Sequence, residues 1–167
     1  MQKKRFVPAC ILAAVASLAV AAPATASTGP TPQWELYLAI NRARAAHGLP
    51  RVFIASGLRT SAQRHSDGMV TGDYFAHTSP YGQTLYDRVV ASGFLRIGPW
   101  WAGEAIGWGT PGVGSPDNMV RMWMNSPEHR AILLAPGATC VGIGRALGPH
   151  FLGYEHATVW TVDMGHH

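Results

Sequence analysis

Three side chains stand out for the chemistry they could do together. His77 lies in Tyr74-Phe75-Ala76-His77-Thr78-Ser79-Pro80, a polar loop that leaves an aromatic pair. His129 opens a helical segment in Ser126-Pro127-Glu128-His129-Arg130. Glu104 stands alone in the apolar, glycine-flanked run Trp101-Ala102-Gly103-Glu104-Ala105-Ile106. A carboxylate in such a run is partly buried and must find partners. Two imidazoles and a carboxylate brought together can hold a divalent metal or move a proton. Spacing alone leaves that choice open, because no HExxH-type pairing fixes two ligands on one helix face.

The elements that must position these residues follow from periodicity and caps. Thr31-Pro32 reads as an N-cap with proline in the first helical position, and Leu36, Ile40 and Ala43 continue at helical spacing until Gly48. A second helix starts near Ser56, with Leu58, Ala62, His65 and Met69 on its inner face, and ends at Gly72. On that face His65 reads as a core residue. A third covers about Thr84 to Ala91, and Ser115-Pro116 and Ser126-Pro127 each open another. After Gly137 the texture changes to two β-prone runs, Cys140 to Ala146 and Ala157 to Met164, joined around Leu147-Gly148-Pro149, with His150 in the loop. Glu104 to Trp108 is a third candidate strand. Helices first and a small sheet late predict an α+β domain, an antiparallel sheet covered by helices.

The first 26 residues read differently. Lys3-Lys4-Arg5, an apolar run from Phe6 to Ala22 and then Ala24-Thr25-Ala26 form the charged head, apolar stretch and small-x-small end of a secretory signal. Residues 27–33 are then a short linker, 34–165 the domain, and 166–167 a tail, with His166 and His167 mobile. Cleavage after Ala26 leaves a secreted protein, in the extracellular space or cell envelope, with no integral membrane span.

Charge narrows the function classes. Of 13 basic residues three sit in that leader, which leaves ten against nine acidic ones. No clustered cations remain to displace counterions, so no nucleic-acid partner is expected. No lysine follows Lys4, which excludes Schiff-base chemistry. Cys140 is the only cysteine after the leader, in an apolar stretch that reads as packing.

The mature chain resembles the bacterial branch of the CAP superfamily, the cysteine-rich secretory, antigen 5 and pathogenesis-related 1 (SCP-like) proteins. Asn41-Arg42-Ala43-Arg44 through Gly48-Leu49-Pro50 is similar to the family's opening helix and its exit. Gly72-Asp73-Tyr74-Phe75-Ala76-His77-Thr78-Ser79-Pro80 is similar to its most recognisable segment, and Asp87-Arg88 continues it. Gly103-Glu104-Ala105-Ile106 resembles the Gly-Glu-Asn-Ile strand with Ala105 replacing Asn. Trp123-Met124-Asn125-Ser126-Pro127-Glu128-His129-Arg130 resembles the Trp-Met-Asn-Ser-Pro-Gly-His-Arg block, and Val141-Gly142-Ile143-Gly144 and Trp160-Thr161-Val162-Asp163-Met164-Gly165 its closing strands.

The resemblance implies an α-β-α sandwich with a cleft holding two histidines and one or two glutamates, where some members bind zinc or another divalent ion. Residue by residue these are His77, His129 and Glu104. The family's second glutamate falls at Ser126, which reads as the N-cap of the next helix. A secreted binding module follows, with a divalent metal on His77, His129 and Glu104. Its cleft of His77, Glu104, Ser126 and His129 receives an envelope-associated or lipid-like ligand. The alternative is a metal-dependent hydrolase of peptide or cell-wall bonds with Glu104 as its catalytic base. Of the six tryptophans, Trp100 and Trp101 are the candidates for the cleft rim, while Trp123 and Trp160 read as core.

Overall fold

The computed structural model describes residues 29–94 and 100–166 of the chain. The signal expected over residues 1–26, the first two linker residues and His167 lie outside them.

The caps do what their sequences dictate. Thr31 accepts the Trp34 amide and starts α1 (Pro32–Ala46), two residues inside the expected linker. α2 (Ser56–Thr71) ends at Gly72, and α3 (Leu85–Ala91) opens on a reciprocal capping box between Thr84 and Asp87. Prolines at the first helical position open α4 (Pro116–Asn125) and α5 (Pro127–Leu133).

Four strands form one sheet: β1 (Phe53–Ile54), β2 (Trp101–Gly109), β3 (Cys140–Phe151) and β4 (Tyr154–His166), in the order β1-β3-β4-β2. The β2–β4 and β3–β4 ladders are antiparallel, as expected, but β1 adds a parallel edge that makes the sheet mixed. Two residues are too few for an alternating pattern to reveal a strand, and β1 exists through two bonds, Phe53 N–H to the Thr139 carbonyl and Ala55 N–H to that of Val141. The β3–β4 hairpin turns at Leu152-Gly153, beyond the expected Leu147-Gly148-Pro149. Both turn residues have positive φ, 49° and 80°, matching the twist of a two-residue hairpin. His150 is therefore in β3 rather than a loop. His166 is in β4, stacked on Trp101 rather than mobile.

Alternation along the strands sorts the two faces. Ala105, Val141, Ile143, Trp160, Val162 and Met164 pack against α1, α4 and α5. The opposite face meets α2 and α3, and there Gly142 and Gly144 let α2 approach the sheet. A Cβ at Gly144 would sit 2.2 Å from the Ala62 carbonyl oxygen. The α-β-α sandwich is closed at one end by Arg44, fully buried, whose guanidinium donates to the carbonyls of Pro50, Leu133, Ala135 and Ala138 at 2.8–3.3 Å.

Candidate functional site

Glu104 projects from β2 toward the α2–α3 face, and its side chain is 2% exposed. Both oxygens are taken. Oε1 accepts the His77 Nδ1 proton at 2.8 Å, and Oε2 accepts from Arg88 Nη2 at 2.5 Å. Burial alone would raise the Glu104 carboxyl. The His77 hydrogen bond and the Arg88 charge outweigh it and hold the group below its ordinary value. Arg88, on α3, is itself buried, and its Nη1 donates to the carbonyls of His77 at 3.0 Å and Gln83 at 3.2 Å. One guanidinium thus holds both the His77 backbone and the carboxylate that orients the His77 ring.

Two further groups complete the cluster. His65 is 1% exposed; its Nε2 donates to the Ala76 carbonyl at 3.0 Å and lies 3.8 Å from Glu104 Oε2. Burial depresses its pKa to about 4, so the ring is neutral. It is core, as its helical face predicts, and it also braces the loop that carries His77. Asp163 stands opposite Glu104 on β4. Burial, then the nearby Glu104 charge, pushes its carboxyl well above the ordinary range. The Ser61 hydroxyl shares its buried surroundings, but no side chain meets Asp163 in hydrogen-bond geometry. Arg88 and Asp163 were not among the residues expected at the site. Asp163 carries the same signal that picked out Glu104, a lone carboxylate between apolar neighbours Val162 and Met164.

His129 is half-buried at the start of α5. Burial, then the His77 imidazole, holds its pKa below the ordinary value, so the two rings lie within electrostatic reach. Its Nδ1 meets the Ser126 hydroxyl at 3.0 Å. Ser126 occupies the cap position of α5, yet this bond replaces the backbone cap expected of it. Beside these two residues opens a cavity of about 300 Å³, walled by Phe75, Ile106, Trp108, Met119, Met122 and Trp123. Trp123, buried and donating to the Ile106 carbonyl at 2.9 Å, serves both core and cavity wall. Trp108 and Trp123 line this cavity; Trp100 and Trp101 do not. Trp100 packs edge-on to Tyr86.

The three expected metal donors do not assemble as a set. Glu104 joins His77, but its oxygens are committed to His77 and Arg88. Among the described residues no group of three His, Cys, Asp or Glu side chains is placed to hold a metal ion. The role left for Glu104 is to orient His77. The same commitment removes the free oxygen a general base needs. The ring nitrogens that remain, Nε2 of His77 and of His129, have no partner among the described residues.

Comparison with known proteins agrees with this architecture. The chain is 32% identical over 124 residues to the uncharacterized protein YkwD of Bacillus subtilis (strain 168), covering 74% of this chain and 43% of YkwD, less than half of that protein's length. An extracellular protein containing an SCP domain from Bacillus anthracis superimposes with a TM-score of 0.61 at 27% identity, over 80% of this chain and 39% of that one. An outer surface protein of Borrelia burgdorferi shares the fold, with a TM-score of 0.64 at 20% identity over 78% and 88% of the two chains. The model of the cysteine-rich secretory protein family matches residues 37–164, and the chain belongs to that CAP family.

Proposed function

We propose that this is an extracellular binding domain whose ligand seats in the cleft between the His77 loop and the α4–α5 turn. His77 and His129 hold the polar end of that ligand, and the neighbouring cavity takes an apolar part, which suits an envelope-associated or lipid-like molecule. The observation that carries this is the His77–Glu104–Arg88 chain: a buried ion pair holds one exposed imidazole in a set orientation beside an apolar cavity. Placement outside the cell rests on the leader-like residues 1–26. It rests also on the descriptions of the B. anthracis relative as extracellular and the Borrelia one as an outer surface protein. No helix among the described residues is long and apolar enough to cross a membrane. A divalent ion such as zinc would rest on the two imidazoles alone, with two positions left open.

The test is chemical-shift mapping with an organic extract of the cell envelope, on the wild type and a His77→Ala/His129→Ala variant. Shifts confined to residues 74–84, Met122, Trp123 and the start of α5, and lost in the variant, are expected. Shifts that map instead to the α1–α2 side, or persist in the variant, would contradict the reading.

A further inference from the structure

We propose that Arg88 sets the ligand class of this cleft. By pairing with Glu104 and pinning the His77 backbone, it makes His77 Nε2 a hydrogen-bond acceptor for an uncharged hydroxyl on a small apolar body, rather than a ligand to a divalent metal. This rests on the reading that the cleft is the binding site.

The hydrogen-bond network assigns the tautomer. Glu104 is an ionised acceptor paired with Arg88, so the His77 nitrogen facing it at 2.8 Å carries the proton, and the lone pair is on Nε2. The charge balance of the cluster points the same way. The Arg88 and Glu104 charges cancel, and the neighbouring His65 and His129 are kept neutral by burial. A dication entering here would meet a guanidinium one carboxylate away and no uncompensated anion, so it would gain little in return for losing its water. An anionic head would find no free cation either, since every Arg88 terminal nitrogen is bonded. A neutral O–H matches the one feature left, an acceptor nitrogen. The cavity of about 300 Å³ is at the small end for ligand sites and suits a single ring or a short chain.

The experiment titrates the labelled, full-length mature protein separately with phenol, anisole, benzoate and zinc ion, reading the side-chain nitrogen signals of His77 and His129 and the Met122 methyl. In the free protein His77 is expected to carry its proton on Nδ1; a proton on Nε2 overturns the proposal without any variant. Phenol is expected to shift His77 and Met122 together and to bind about tenfold more tightly than anisole or benzoate. Zinc at 1:1 is expected to leave His77 unmoved. Phenol and anisole binding equally, or zinc moving His77 and Glu104 at stoichiometric concentration, overturns the assignment to Arg88 while leaving the cleft as the binding site. Failure of all four probes to move any cleft signal overturns both readings. Arg88→Met is expected to erase the preference for phenol over anisole. If that variant does not fold, the tautomer and the wild-type titrations decide alone.

Discussion

Glu104 and Asp163 face each other across the β2–β4 ladder with opposite protonation states. Glu104 is ionised because His77 and Arg88 stabilise its charge; Asp163, fully buried with no hydrogen-bonded partner and a charged neighbour, keeps its proton. Two carboxyl groups so close cannot both ionise, and the surrounding bonds decide which one does.

Asp163→Asn is the direct consequence. A carboxyl raised in the folded state binds its proton more tightly there than when unfolded. Stability is therefore lost as pH rises above the ordinary carboxyl value toward the raised one. An amide at this position does not titrate, so the substitution removes that loss. Urea denaturation at pH 4 and pH 7 should show the variant gaining on the wild type by more than about 1 kcal/mol across the interval. A constant difference would mean that Asp163 is ionised.

His65 contributes with the opposite sign. Its pKa falls from 6.5 to about 4 on folding, chiefly through burial, so its contribution is complete above 6.5 and lost as pH falls toward 4. The loss amounts to up to about 3 kcal/mol. In His65→Gln, thermal melts between pH 7 and pH 4 should lose most of this acid dependence.

Arg44 and Arg42 lie two residues apart on α1 and should behave oppositely. Arg44→Met strands four carbonyls around a buried space and should cost about 3–5 kcal/mol. Arg42 meets Asp117 at 2.7 Å, but both side chains are mostly exposed. Denaturant midpoints should show Arg42→Ala within about 0.5 kcal/mol of wild type.

Gly144→Ala tests the α2–β3 contact. The added methyl would meet α2 backbone atoms at 2.2–2.5 Å, so the helix must move as a whole, at a cost of about 3 kcal/mol or more. Gly137→Ala, whose nearest neighbour would be 4.0 Å away, serves as the control and should change stability by less than about 0.5 kcal/mol.

Helices were the most legible part of the sequence, because each carries a local signal: Thr31-Pro32, Ser115-Pro116 and Ser126-Pro127 mark starts, and Gly72 an end. The strand pairing was legible where apolar runs are long. The hairpin tip was not, since Leu152 adopts its left-handed conformation under the demand of the paired strands, against its own preference. At the site, His77 and Glu104 could be read from motif and burial. Arg88 could not, because an arginine in an amphipathic heptapeptide looks solvated until its partner across the sheet is known.

The most direct test of the central claim, that His77, Glu104 and Arg88 form a self-satisfied neutral cluster, is metal content by elemental mass spectrometry. The mature protein, purified without a tag or metal column, is compared with the His77→Ala/His129→Ala variant. Metal well below one equivalent, and equal in the two samples, is the expected result. Near-stoichiometric zinc in the wild type that disappears in the variant would contradict it.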